Sequence, residues 1–245
     1  MALVHELERS GNWLFKRRGW LPIFLIFSGL VVMYFVNRQA ILFNTREELI
    51  FLGISLCGEA IRIVTVGHAA KNTSGRNSAE GQIADEINVT GIYSIVRHPL
   101  YLGNFFIWLG PTLFLRSLWF IVIFCLVFWI YYERIMFAEE QFLRRKFGDA
   151  YDKWSETVKA FIPVFKKYIP AKLSFSFRKV IRHEYHCIEN IFLLFTVLDL
   201  ARNYILFGKV FLTYLWAFLF IPASLIWLIL LVIDKTTRWL IDPGR

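Results

Sequence analysis

The stretch from Val210 to Ile233, VFLTYLWAFLFIPASLIWLILLVI, runs for 24 residues without a charge. As a helix it is ~36 Å long, against a bilayer hydrocarbon core of ~30 Å. Lipid offers the backbone no hydrogen-bond partners, so such a segment crosses as a helix. Pro222 lies inside it and is expected to kink it. Working outward, Ile191 to Phe207 carries only Asp199 and Arg202, and Leu49 to Gly67 only Glu59 and Arg62. Both pairs sit at i,i+3 on one helix face, where structural pairing inside a bundle is the favoured reading. Leu100 to Tyr132 is charged only at Arg116, and its 33 residues are too long for one crossing. Gly110-Pro111 and Arg116-Ser117 are the expected breakers, giving two antiparallel spans. Gly19 to Asn37 follows Lys16-Arg17-Arg18 as a signal peptide would, yet no small-residue cleavage site follows, so it reads as an uncleaved first span. The fold class is all-α, a polytopic membrane helix bundle of about six spans.

Composition agrees. Of the 245 residues 57% are hydrophobic, and 19% are charged where a soluble domain has ~25%. Cys57, Cys125 and Cys187 are scattered, with no zinc spacing and no disulfide framework, so no metal is expected. The formal charge of +9 suggests nucleic acid until the basic residues are placed. With the N-terminus inside, 22 of the 28 Lys and Arg fall on one side of the membrane. That asymmetry orients both termini to the cytoplasm, and no nucleic-acid partner is expected.

Two long polar segments share the cytoplasmic side, His68 to Pro99 and Glu133 to Tyr185. In the first, Arg97-His98-Pro99 stands where a loop enters a membrane helix. Proline fits a first helical turn, whose N–H groups lack partners, and the helix start with Arg97 and His98 beside it suits an anion. Gly103, one turn in, admits a ligand or a second helix to the backbone. In the second, Glu133 and Glu140 lie on nearly one helix face, and Arg144 follows Glu140 at i,i+4. A capped helix start and surface ion pairs would explain these residues equally well, so chemistry alone leaves the choice open.

The ordered set is more specific than its parts. Gly91-x-Tyr93, Arg97-His98-Pro99-x-Tyr101-x-Gly103, Glu139-Glu140-x-x-Leu143, Phe147-Gly148-x-x-Tyr151 and Pro163 occur in that order. The pattern resembles the isoprenylcysteine carboxyl methyltransferase and phospholipid methyltransferase family, integral-membrane enzymes that use S-adenosylmethionine. The segment from Gly75 through Pro99 is closest to bacterial members, including those that methylate lipid A phosphate. The resemblance implies a cytoplasm-facing cofactor pocket closed by a helix. It implies S-adenosylmethionine contacts at His98, Tyr101, Leu102, Gly103, Glu139 and Glu140, and an acceptor held by Arg97 and Arg134. It further implies a membrane lipid or lipidated substrate and a multi-pass protein of the bacterial inner membrane.

On this basis residues 1–48 form an N-terminal cytoplasmic segment and first span, 49–170 the methyltransferase core, and 171–245 a C-terminal extension with two spans. That extension and the elaborate loop Gly75 to Gln82 depart from the family pattern and bear on the acceptor. The expected reaction moves a methyl group from S-adenosylmethionine to an anionic phosphate or carboxylate, which needs positioning more than a base. An amine acceptor would need its proton removed, with Glu133 and His183 as candidate bases. A phospholipid amine N-methyltransferase, a membrane reductase and a lipid-binding protein on a related scaffold are the competing readings.

Overall fold

The computed structural model describes residues 2–35, 44–71, 73 and 84–242, so the elaborate loop Gly75 to Gln82 lies outside the described residues. Among them are eight α-helices: α1 (Leu3–Lys16), α2 (Trp20–Phe35), α3 (Thr45–His68), α4 (Pro99–Phe114), α5 (Leu118–Phe147), α6 (Asp149–Thr157), α7 (Phe177–Phe207) and α8 (Tyr214–Thr236). No strand forms among the described residues; Gly91 and Ile169 make one isolated bridge. Four helices, α3, α5, α7 and α8, are long and apolar enough to cross a membrane. The chain is an all-helical integral membrane protein. The apolar helices α2 and α4, at 16 residues each, are shorter than these four.

Sequence signals set the helix ends. Asn44 and Glu47 form a reciprocal cap at the start of α3, each side chain bonding the other's backbone N–H at 3.1 Å. Gly208 ends α7 in a left-handed conformation, φ 66°, where glycine pays no Cβ penalty. The turn between α4 and α5 falls at Leu115–Ser117, with Arg116 itself at φ 53°. The expected break at Gly110-Pro111 does not occur. Pro111 lies inside α4, and Gly110 packs so closely on α3 that an added Cβ would stand 2.2 Å from Ser55 Oγ. The small residue serves helix contact, as is usual between membrane helices.

The best-packed contact is α3 on α4. Ser55 Oγ donates to the Ile107 carbonyl at 2.8 Å, and Gly58 faces the Gly103 backbone. One apolar core joins α2, α3, α4, α7 and α8 around Met33, Phe114, Phe195 and Trp216. A second gathers Phe15, Tyr101, Phe124, Phe128 and Tyr132 from α1, α4 and α5. Within the first, Arg202 pairs with Glu48 at 2.7 Å and with Asp199, and Trp216 Nε1 donates to Glu48 at 2.6 Å. The pairing of Asp199 with Arg202 is structural, as its spacing suggested. Glu59 and Arg62 behave differently: their closest approach is 3.8 Å, and Arg62 pairs instead with Glu184 of α7.

Candidate functional site

His98 precedes Pro99, the first residue of α4, so the predicted helix start is present. The chain leading into it is pinned by the strap that follows α6. Arg97 N–H donates to Lys159 O at 2.9 Å, His98 N–H to Ala160 O at 3.1 Å, and Val164 N–H to Ile95 O at 2.9 Å. The backbone is thereby fixed with the His98 ring directed at α5, which runs unbroken to Phe147 and so carries Glu139 and Glu140 on its last turns. His98 Nε2 lies 2.9 Å from Glu140 Oε1, and Nδ1 lies 3.6 Å from Glu139 Oε2. Tyr101, stacked on His98 with ring centroids 5.6 Å apart, donates its hydroxyl to Glu139 at 2.9 Å. Arg97 Nε stands 3.0 Å from Glu140, while its Nη1 donates to the Ser155 carbonyl at 2.6 Å and so fastens α6.

Burial alone would drive the proton from His98. Hydrogen bonds to Glu139 and Glu140, and their charge, outweigh it and raise the imidazole to about 9. At neutral pH the site therefore holds two carboxylates against one imidazolium and one guanidinium. The carboxylate side chains are a quarter to a third exposed, so both remain open to a ligand. Buried beside them, the Tyr151 hydroxyl adjoins Glu140, and burial together with that carboxylate pushes the phenol up.

Five of the eight predicted site residues thus converge: Arg97, His98, Tyr101, Glu139 and Glu140. Leu102 is buried on the following position of α4. Gly103 faces the other way, into α3, where an added Cβ would stand 2.6 Å from Arg62 Cγ. It admits a second helix, one of the two uses its position allowed. Arg134 also stands apart. Its carbonyl lies under Gly11 of α1, and its guanidinium makes no hydrogen bond or ion pair among the described residues. Arg144 pairs with Asp152 at 2.8 Å rather than with Glu140, because α6 folds back beside it.

Sequence reading passed over two groups that the structure brings forward. Asn104 and Tyr132 were lost inside an apolar run, although a lone amide at membrane depth is a signal in itself. Tyr132 lies 5.0 Å from Tyr101, ring to ring, and so adjoins the cluster.

A buried histidine held between paired carboxylates at the mouth of a membrane helix bundle defines a class: a multi-pass membrane protein with a polar interfacial site. Residues 49–150 match the phospholipid methyltransferase family model. All five converging residues lie within the matched segment. Among relatives, the protein-S-isoprenylcysteine O-methyltransferase of Schizosaccharomyces pombe is 35% identical over 115 residues, 46% of this chain and 48% of its own. That of Tribolium castaneum is 28% identical over 120 residues, 48% of this chain and 42% of its own. A nickel-cobalt-cadmium resistance protein of Alcaligenes xylosoxydans xylosoxydans is 27% identical over 151 residues, 61% of this chain and 67% of its own. The chain spans about half the length of the S. pombe relative. No solved structure matches it significantly.

Proposed function

We propose that this protein is an integral-membrane methyltransferase, moving a methyl group from S-adenosylmethionine to an anionic group, phosphate or carboxylate, of a membrane lipid or lipidated acceptor. The observation that carries this reading is the convergence of Arg97, His98, Tyr101, Glu139 and Glu140 within the family segment. The names of the S. pombe and T. castaneum relatives favour an oxygen acceptor.

The residues present suit the donor. S-adenosylmethionine carries a sulfonium, an ammonium and a carboxylate and supplies an electrophilic methyl group. Glu139 and Glu140 can accept from its ammonium or ribose hydroxyls, and the α4 N-terminus with protonated His98 suits its carboxylate. The Tyr151 hydroxyl beside Glu140 offers one more polar contact. In the reaction an oxygen lone pair of the acceptor forms the new C–O bond as the C–S bond breaks, and that electron pair returns to sulfur. The acceptor is already ionised, so the chain's task is to align the two reactants and exclude water. Arg97, fastened to Ser155 and Glu140, orders the strap and α6 over the site.

In this reading residues 49–170 form the catalytic core and the protein sits in a bacterial inner membrane with both termini cytoplasmic, as the basic asymmetry favours. Intact-lipid and intact-protein mass spectrometry of cells with and without the protein should reveal one acceptor heavier by a methylene unit. A methylated headgroup amine, with no methylated anion, would replace this reading by the amine one.

A further inference from the structure

Glu184 belongs to α7, outside the family segment, yet it reaches the core. Its carboxylate receives Arg62 Nε at 3.0 Å and Nη2 at 2.8 and 3.0 Å, a bidentate grip on a guanidinium that lies in an apolar helix of the core. Arg62 Nη1 in turn donates to Asn104 Oδ1 at 2.8 Å. Arginine has no acceptor, so this contact fixes which end of the amide faces it. The Asn104 NH2 group must then point the other way, and Nδ2 donates to Tyr132 Oη at 3.1 Å. The direction of every bond is set from Glu184 onward. Tyr132 accepts from Asn104, and its own O–H proton has no acceptor among the described residues. The ring is locked by Phe128 at 4.2 Å and Tyr101 at 5.0 Å, beside the Glu139–His98 cluster. A buried hydroxyl with a fixed orientation and an unspent proton is a prepared donor for an oxyanion.

We propose that Tyr132 donates its hydroxyl proton in a hydrogen bond to the anionic acceptor, and that Glu184 of the C-terminal hairpin α7–α8 is the positioning residue, acting through Arg62 and Asn104. This deepens the methyl-transfer reading and rests on it. The hairpin is then part of the working site, and the acceptor oxygen docks on the Tyr132 side of His98. Gly103 fits the same account, since any larger residue there would displace Arg62.

The test uses the full-length protein in detergent, saturated with S-adenosylhomocysteine, titrated with a long-chain alkyl phosphate and with S-farnesylcysteine. Tyr132→Phe removes one hydroxyl and little else, and should weaken binding of the preferred anion ~10-fold or more while S-adenosylmethionine affinity stays unchanged. Glu184→Gln should weaken the same anion to a similar degree, and the double variant should lose no more than either single one. Such coupling between residues on different helices follows from a shared chain of bonds and not from independent packing losses. Unchanged anion binding by Tyr132→Phe overturns the inference, as do losses that multiply in the double variant. A wild-type protein that binds the cofactor but neither anion removes the anionic-acceptor reading and this inference with it. One that binds no cofactor removes the methyl-transfer reading itself.

Discussion

Arg202 and Arg62 occupy mirror situations between α3 and α7. Arg202, on α7, meets Glu48 of α3; Arg62, on α3, meets Glu184 of α7. The first cluster is closed. Its arginine side chain is 6% exposed, and Asp199 spends its second oxygen on Asn203 at 3.3 Å and the Thr213 N–H at 2.9 Å. The second is open. Arg62 is 19% exposed, its bonds lead on to Asn104 and Tyr132, and nearby Glu59 stays 3.8 Å from it. A closed network holds helices together, because the charges it buries are answered inside it. An open one keeps groups in reserve, and it is the open one that adjoins the family motif.

The largest expected effect comes from breaking the closed cluster. Arg202→Met leaves Glu48 and Asp199 buried without their cation, and should cost ~3–5 kcal/mol of stability. Thermal unfolding in detergent would register it, while cofactor affinity of the folded fraction stays normal. Next comes the site itself. If the proposed donor site is right, Glu140→Ala removes one of its charged partners and should weaken S-adenosylmethionine binding ~10–100-fold, with a smaller fall in melting temperature than Arg202→Met. A fall in stability that exceeded the loss of affinity would place Glu140 with the structural group and erase the contrast.

The pH response sharpens the comparison further. The His98 imidazole is raised from its ordinary 6.5 to about 9. Its stabilisation is complete below about pH 6.5 and is lost as pH rises through about 9. The melting temperature of the wild type should decline across that window, and His98→Gln should flatten the profile. The smallest effect belongs to Arg144→Ala. Its pair with Asp152 is about half exposed on both sides and should be worth less than ~1 kcal/mol.

The architecture was legible because lipid imposes a simple rule on sequence: long charge-free runs become helices. Five apolar runs, the longest of them divided at the Arg116-Ser117 turn, become six helices. The rule failed at Gly110-Pro111, where local breaker chemistry gave way to close packing against Ser55 and Phe51. In the site, the ordered motif brought together residues that chain order alone cannot. His98 and Glu140 are 42 positions apart and meet only because the strap 158–164 pins the loop against the end of α5. Gly103 shows the limit of spacing. It lies two residues beyond Tyr101, so at about 100° per residue it points to the opposite side of α4. The Glu184–Arg62 contact was not readable at all, since it joins residues 122 positions apart through helix packing that no local pattern encodes.

The central claim, that the His98–Glu139–Glu140 cluster is a methyl-donor site, is tested most directly by calorimetric titration of the detergent-purified protein with S-adenosylmethionine. The account predicts saturable binding to the wild type and to Arg144→Ala, weakened ~10–100-fold in His98→Ala. Absence of binding to the folded wild type, or undiminished binding to His98→Ala, would contradict it.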